Sequence, residues 1–577
     1  MKMTGNQLFV TAMKKEGVDT IFAYPGGMVV NLLDALHDAH GISLVLPRHE
    51  QGLIHAADGY ARATGKVGVC LVTSGPGATN LVTGIANANY DSIPLVCFTG
   101  QVSEELIGND AFQEVDIVGV TRNVAKFVIM VRNREHLAQR IKEAFYIARS
   151  GKPGPVLIDL PTDVMAELGS TSYPTSISIR GYKPNKGVHM GQLKKAISLL
   201  KRAKKPMFLI GGGVNLGHAQ KEMTELAEKL NIPVVTTVMG RGAIATDHPL
   251  FVGDIGMHGS YAANRVADEC DLMFAIGCRF GDRVTGDVKY FAPNAKVVHI
   301  DIEASSISRN VTVDIPIVSD AKTAITKILE HTVPMTHTRW VKEVKGWDEE
   351  HPLQMKVKKG VSPQKIMETL NELYADRDTI FTSDVGQHQM WASQYLKLDA
   401  EHRLIQSGGL GTMGFGLPSA VGAKIGCPDK SVVSISGDGG FQMNIQEMAT
   451  AVCEEIPLVN VILNNQKLGM VRQMQTLFLK KRYPATCLCQ HRSCVGKCGT
   501  PGFECPEYSP SFVKIAEAYG SKGFLVTEDA QLKETILAAR EYAEANNKPV
   551  IVECAVSPDE LVLPMIKGGA SFRDIIL

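Results

Sequence analysis

The 577-residue sequence predicts an α/β protein of three doubly wound domains with mainly parallel sheets. Three observations carry this. Short apolar, β-branched runs alternate with longer amphipathic runs along most of the chain. Many of the short runs end in glycine-rich turns, where doubly wound sheets place their ligands. Two polar stretches, residues 166–188 and 331–362, break the alternation and read as linkers. They leave blocks at 1–165, 189–330 and 363–577.

In chain order, the first block carries the strand runs KVGVCLVTS and IPLVCFTG. The second carries KPMFLIGGG, DLMFAIG and KVVHID, and the third SVVSISGDG and LVNVILNN. No short tandem repeat is present. Apolar residues make up 45% and charged residues 21%, as in globular proteins with large cores. Lysine plus arginine equal aspartate plus glutamate at 60 each, which argues against a nucleic-acid or membrane partner. The basic cluster Lys201, Arg202, Lys204 and Lys205 ends an amphipathic run and reads as a solvated helix C-terminus. No apolar run has the length of a membrane span, and the N-terminal segment lacks a signal-peptide core. A cytoplasmic location is therefore expected, with the 12 cysteines mostly reduced. Cys70, Cys97 and Cys278 read as small core residues.

The densest motif is Gly437-Asp438-Gly439, followed after 24 residues by Asn464-Asn465. Each half closes an apolar strand, so both are expected at the C-terminal edge of a sheet. Glycines let the backbone approach an anion, and a helix start presents free N–H groups and a positive dipole end. Asp438 and the side-chain oxygen of Asn465 are hard oxygen ligands of the kind Mg²⁺ takes, with positions left for phosphate oxygens and water. Either half alone reads as an ordinary turn; the joint spacing marks a site.

The pair resembles the signature of the thiamine-diphosphate-dependent enzymes. By that resemblance Mg²⁺ is held by Asp438, Asn465 and the backbone carbonyl of Lys467. Gly386, Gln387 and His388, in SDVGQHQMW, together with Gly439, Gly440, Gly469 and Met470, are the implied contacts to thiamine diphosphate. Gly411 and Met413, in SGGLGTMGFG, would lie against the bent cofactor, although Met413 reads equally as a core methionine. Such a cofactor needs a carboxyl in an apolar pocket, hydrogen-bonded to its pyrimidine ring. The candidate is Glu50 in VLPRHEQGLIHAADGYARATG, where residue type alone reads as a surface helix cap. The turn TSGPGATN, residues 73–80, would pass close to the same ring. It is not a nucleophile elbow, and the cofactor itself attacks the substrate. In the family the glutamate and the diphosphate loop meet across a subunit interface, which implies a homodimer or homotetramer.

The resemblance runs from YPGG, residues 24–27, to LPMIKGGA, residues 563–570. AFQEVDIVG, GMHG and CRFGDRVTG point to the acetohydroxyacid synthase group. By resemblance Gly27, Phe112 and Gln113 line the reaction centre, and Arg279 pairs with the acceptor carboxylate. Arg279 reads equally as an arginine that packs on a flavin or caps a strand. The middle block is implied to bind FAD in a non-redox role, through Lys152, Gly211, Gly212, Gly213, Met257, His258, Arg283, Asp301 and Asp320. Alone, PMFLI followed by Gly211-Gly212-Gly213 is a weak dinucleotide signal. The implied reaction decarboxylates pyruvate and joins the remaining two carbons to a second 2-keto acid, pyruvate or 2-ketobutyrate. A small regulatory subunit is among the partners the group commonly has. Three other readings share parts of these motifs: a carboligase or decarboxylase for another 2-keto acid, a pyruvate oxidase with redox FAD, and a non-catalytic nucleotide-binding regulator.

Four departures from the group's pattern stand out. Thr162 replaces a lysine in DLPTDV, and Lys152 replaces an arginine before PGP, losing a bidentate fork. TCLCQHRSCVGKCGTPGFECPEYSP replaces a few residues and brings Cys487, Cys489, Cys494, Cys498 and Cys505 together with His491. A zinc or iron–sulfur site, a redox-sensitive lid and a variable loop are the three readings of that cluster. Met474 stands where the group carries a tryptophan that favours 2-ketobutyrate, and a flexible thioether offers a different contact surface. With pyruvate and 2-ketobutyrate in equal amounts, acetolactate is expected to be the main product. Predominant 2-aceto-2-hydroxybutyrate in that competition would refute the expectation.

Overall fold

A computed structural model describes residues 2–185, 187–494 and 508–577. Its backbone is organised by three six-stranded sheets in which every neighbouring pair is parallel. The first comprises β1 (Thr20–Ala23), β2 (Ser43–Val45), β3 (Gly68–Val72), β4 (Leu95–Gln101), β5 (Phe127–Met130) and β6 (Val156–Pro161), in the order β2-β1-β3-β4-β6-β5. The second comprises β7 (Pro206–Ile210), β8 (Val234–Thr236), β9 (Phe251–Asp254), β10 (Leu272–Ile276), β11 (Lys296–Asp301) and β12 (Ile315–Val318), in the order β9-β8-β7-β10-β11-β12. The third comprises β13 (Thr379–Ser383), β14 (His402–Gln406), β15 (Ser431–Gly437), β16 (Leu458–Asn464), β17 (Lys522–Val526) and β18 (Pro549–Ala555), in the order β14-β13-β15-β16-β18-β17.

The first and third sheets thus share one strand order, a likeness that no short sequence repeat announces. The middle sheet has the dinucleotide-fold order, reversing between β7 and β10. Each sheet is covered on both faces by apolar side chains, which explains why its strands read as continuous apolar runs. Among the described residues no helix is long and apolar enough to cross a membrane.

Two stretches depart from the sequence reading. The 331–362 linker contains a helix, Thr338–Glu350, whose Trp340 and Val344 are buried against the middle unit. The helical run after Asp438 is split into Asp438–Met443 and Glu447–Cys453, because Asn444 turns away to donate its amide to Gly414 O at 2.7 Å.

The first and third units pack together through helices Glu50–Thr64 and Gly416–Gly426. Their backbones approach so closely that a Cβ on Gly422 would overlap the Ala56 carbonyl. A buried ion cluster ties the same seam. Arg62 pairs with Asp58 (2.5 Å) and Asp91 (2.9 Å), and Asp91 accepts from the backbone of Gly408 and Gly409. Gly422→Ala should therefore separate the two helices and cost about 1–3 kcal/mol, as overpacking does. A lower urea midpoint would be the readout, and an unchanged midpoint would contradict the packing described.

Candidate active site

In a parallel sheet every strand delivers its following loop to the same edge. Three such loops meet at the third sheet. β15 and β16 are neighbours with Gly437 opposite Leu463, so the Gly-Asp-Gly and Asn-Asn loops leave the sheet side by side. Asp438 is only 3% exposed, and the backbone N–H groups of Asn465 and Gln466 across that gap favour its charged form. The third loop follows β13. There Gly386 precedes helix Gln387–Tyr395, and the His388 ring stands over Gly386 and Gly437. Asn465 donates to Gln387 Oε1 at 3.4 Å, and Gly469 and Met470 open helix Gly469–Phe478 beside them. Met413 reaches Gly439, with its Cε 3.7 Å from where a Cβ there would stand. Gly411 lies two residues before it with φ 72°. Gly440 closes against Asp384, and Asn465 Oδ1 accepts from Lys467 N at 3.0 Å.

Burial without a counter-ion dominates the electrostatics. Desolvation pushes the Asp438 carboxyl up to about 7, against backbone N–H groups that favour its charge. Burial pushes His388 down to about 4, so its imidazole is neutral, and its Nε2 has no hydrogen-bond partner among the described residues.

At the first sheet the hub is the turn after β3. Thr73 stands 2.5 Å from a Cβ placed on Gly26, beside the exposed Gly27 that opens the one-turn helix Gly27–Val29. Gly75, at φ 57°, packs directly on Gln113, whose carbonyl oxygen would lie 2.8 Å from a side chain there. Only glycine combines that φ with that approach. Glu50 is the first residue of its helix and is 8% exposed, which removes the surface-cap reading. Asn80 donates to Glu50 Oε2 at 2.9 Å, while Oε1 lies beside Gly77. Phe112 is 83% exposed.

At the middle sheet the predicted residues again follow strand ends. Gly211, Gly212 and Gly213 follow β7, with Gly211 and Gly213 against Gly277 of the turn after β10. Met257 and His258 follow β9, and His258 Nδ1 is buried without a partner among the described residues. Arg279 and Arg283 follow β10, Asp301 ends β11, and Asp320 follows β12, where it caps helix Ala321–His331. Arg279 donates to Tyr90 O at 3.3 Å, its guanidinium over the Tyr90 ring and next to Gly409. It thus stands where all three units meet. Lys152 donates to Asn89 O at 3.1 Å, and burial lowers its pKa, with Arg279 adding to the fall. Burial pushes Asp301 up to about 6.

Models of the thiamine pyrophosphate enzymes match the chain in three places: the N-terminal TPP binding domain at residues 3–120, the central domain at 193–328 and the C-terminal TPP binding domain at 384–554. The chain is 44% identical to the acetolactate synthase isozyme 3 large subunit of Escherichia coli, over 98% of this chain and 97% of that protein. It is 43% identical to a probable acetolactate synthase large subunit of Methanocaldococcus jannaschii, over 100% and 95%. It is also 43% identical to the acetolactate synthase large subunit of Corynebacterium glutamicum, over 100% and 90%. The chain belongs to the acetolactate synthase large-subunit family of thiamine pyrophosphate enzymes.

Within this family framework, residues the sequence reading passed over hold the site together. Asp384 accepts from the backbone of Val385, Gly414 and Gly416, fixing the Met413 loop on the Gly-Asp-Gly loop. Its signal was an aspartate closing an apolar strand, as Asp438 does. Glu447 accepts from Arg48 N (3.1 Å) and so pins the approach to Glu50 from the other unit. No sequence pattern marks it. Buried Asp159 accepts from Thr99 and Gln101, and Gln101 also donates to Val115 O, anchoring the loop that carries Phe112 and Gln113.

Thr162 opens the short helix Thr162–Ala166, and Met474 lies half-buried in helix Gly469–Phe478. Cys498 and Cys505 lie outside the described residues. Among the described residues, no three or more His, Cys, Asp or Glu side chains gather as a metal-ion group, and Cys487, Cys489 and Cys494 are free thiols.

A metal ion held by Asp438 would require its ionised form. Because the folded carboxyl titrates near 7, above its ordinary value, the folded chain without metal binds the extra proton. Its stability should fall as pH rises from about 4 to about 7. Conversely, the Mg²⁺ concentration for half-saturation should fall by up to about tenfold per pH unit below 7 and level off above it. Calorimetric Mg²⁺ titrations at several pH values check this, and a pH-independent affinity would contradict it.

Proposed function

We propose that the chain is the catalytic subunit of an acetolactate synthase, condensing two molecules of 2-keto acid, chiefly pyruvate, to acetolactate and CO₂. The observation that carries this reading is the meeting of three strand-end loops around the buried, unneutralised Asp438. A site that holds a carboxylate out of water, lined by glycines and a helix start, fits a divalent ion bridging to a diphosphate. Asp438, Asn465 and the Lys467 carbonyl would hold Mg²⁺. Gly386, Gln387, His388, Gly439, Gly440, Gly469 and Met470 would border the diphosphate, with Met413 against the remainder of the cofactor. The lone Nε2 of His388 is a further polar group that a ligand would satisfy.

Thiamine diphosphate, when bound, supplies the nucleophilic carbon and the electron sink for decarboxylation. The chain's own residues do the rest. Glu50 holds the proton exchanged with the cofactor ring, and Asn80 fixes one of its carboxyl oxygens. Gly27, Phe112 and Gln113 form the wall at which the keto acids are positioned. Arg279, held by Tyr90, offers a planar cation to the carboxylate of the second keto acid.

The full exposure of Phe112 in a single chain supports a homodimer in which the partner covers it. A tetramer and a small regulatory subunit are compatible additions. The strand order of the middle unit and the glycine run at its switch point fit FAD. So do Lys152 and Asp301, both displaced in pKa by burial, and the unpartnered His258 Nδ1. Bound there, FAD would be held by Gly211 to Gly213, Met257, His258, Arg283, Asp301 and Asp320 in a structural role.

Product analysis tests the proposal. Purified protein with Mg²⁺, thiamine diphosphate and pyruvate should form acetolactate without any electron acceptor. Glu50→Gln should lower that rate by about 10²–10⁴-fold, the contribution of a positioned acid–base group, with unchanged melting behaviour. Undiminished turnover by the variant would refute the assignment, and turnover only with an electron acceptor would favour an oxidase.

A further inference from the structure

The cysteine-rich segment begins directly on the metal loop. Leu468 N donates to Thr486 O (2.8 Å) and Leu488 N donates to Gln466 O (3.0 Å), so Lys467 and Cys487 face each other as an antiparallel bridge. Leu488 reaches the diphosphate loop, with its Cδ1 3.3 Å from where a Cβ on Gly439 would stand. Gln490 N donates to Cys487 O (3.3 Å), closing a turn through Leu488 and Cys489 that leaves the two cysteines on one face. On that face the Cys487 and Cys489 sulfurs lie 3.1 Å apart. Lys467 Nζ donates to both, at 2.7 Å and 3.0 Å. Cys487 is half-buried, and Cys489 is 2% exposed. A cation already occupies the position beside the two sulfurs where a soft metal would sit, so the geometry favours chemistry between the sulfurs themselves.

We propose that Cys487 and Cys489 form a peroxide-sensitive dithiol whose oxidation to a disulfide loosens the metal loop at residues 465–467. The oxidant is hydrogen peroxide. The sulfur of Cys487, the more accessible, attacks one peroxide oxygen. The O–O bond breaks, Cys487 becomes a sulfenic acid, and the second oxygen leaves as water with the thiol proton. The sulfur of Cys489 then attacks that of Cys487. The S–S bond forms, the S–O bond breaks, and the hydroxyl leaves as water with the Cys489 proton. Two electrons pass from the sulfur pair to the peroxide, which is reduced to two waters.

Forming the bond draws the sulfurs together to about 2.0 Å and takes away the two thiol acceptors of Lys467. The Lys467 ammonium must then find other partners, and its backbone is part of the same bridge that carries the loop. The disulfide does not rest on the catalytic reading; its effect on metal binding does.

The test treats the holoenzyme with hydrogen peroxide, alkylates the remaining thiols and weighs the peptides. The peptide carrying Cys487 and Cys489 should lose two hydrogens and escape alkylation until dithiothreitol is added. The Mg²⁺ concentration needed for thiamine diphosphate binding, followed by calorimetry, should rise by about tenfold and recover on reduction, as when a group supporting a metal ligand is disturbed. Cys487→Ser and Cys489→Ser should each keep the reduced protein's Mg²⁺ requirement and show no peroxide-induced shift. Three results would overturn the proposal: both thiols alkylated after peroxide, Cys487 bonded to a cysteine other than Cys489, or the disulfide present with an unchanged Mg²⁺ requirement. If the reduced protein bound no thiamine diphosphate, the functional reading would fall instead, and the peptide masses would still decide the disulfide.

Discussion

A carboxylate buried between two neighbouring strand ends is the constraint around which this molecule is arranged. Asp438 is almost wholly shielded from water, and no basic side chain among the described residues is paired with it. Such a group takes up a proton or a cation. Parallel strands deliver the Asn465 loop and the Gln387–His388 loop to the same edge, so the groups that would hold a cation and its diphosphate come from three separate stretches of chain. Asp384 then locks the Met413 loop over the glycines. The sheet supplies position, and the burial supplies the demand for charge.

The second feature follows from the shared strand order of the first and third sheets. Each places its reversal point between its first and third strands, so each has a crevice at the same edge. One crevice carries the carboxylate and glycines suited to a metal and diphosphate. The other carries Glu50 and the Thr73–Gln113 cluster suited to an aromatic ring. The close helix crossing at Gly422, the Arg62–Asp58–Asp91 cluster and the reach of Glu447 to Arg48 hold the two units in register. The middle sheet, with its dinucleotide order, meets both at Arg279.

Much of this was legible in the sequence, for a physical reason. Asp438, Asn465 and Gly211 to Gly213 each follow a largely apolar run, and a polar or glycine turn after such a run marks a strand end. Glu50 was legible only through family resemblance, since a glutamate at a helix start is commonly a solvated cap. Its burial became visible when Asn80 and Gly77 closed on it. Glu447 could not be read at all, because its partner is a backbone N–H 399 residues away in sequence. The helix Thr338–Glu350 was overlooked because charged residues outnumber its apolar stripe of Trp340, Val344 and Trp347, although that spacing is helical. The split after Met443 depends on one tertiary hydrogen bond from Asn444, which no local pattern encodes.

The role proposed for the buried Asp438 is to bind a cation that in turn holds a diphosphate. Thiamine diphosphate binding to the wild-type chain and to Asp438→Asn, measured by calorimetry with Mg²⁺ and again with a chelator, tests it most directly. The account predicts saturable binding to the wild-type chain only when Mg²⁺ is present. With Mg²⁺ present, binding by the variant should be at least about 10-fold weaker than by the wild-type chain, the minimum loss expected at a disturbed metal site. Equal binding with Mg²⁺ and with chelator, or by wild type and variant, would contradict it.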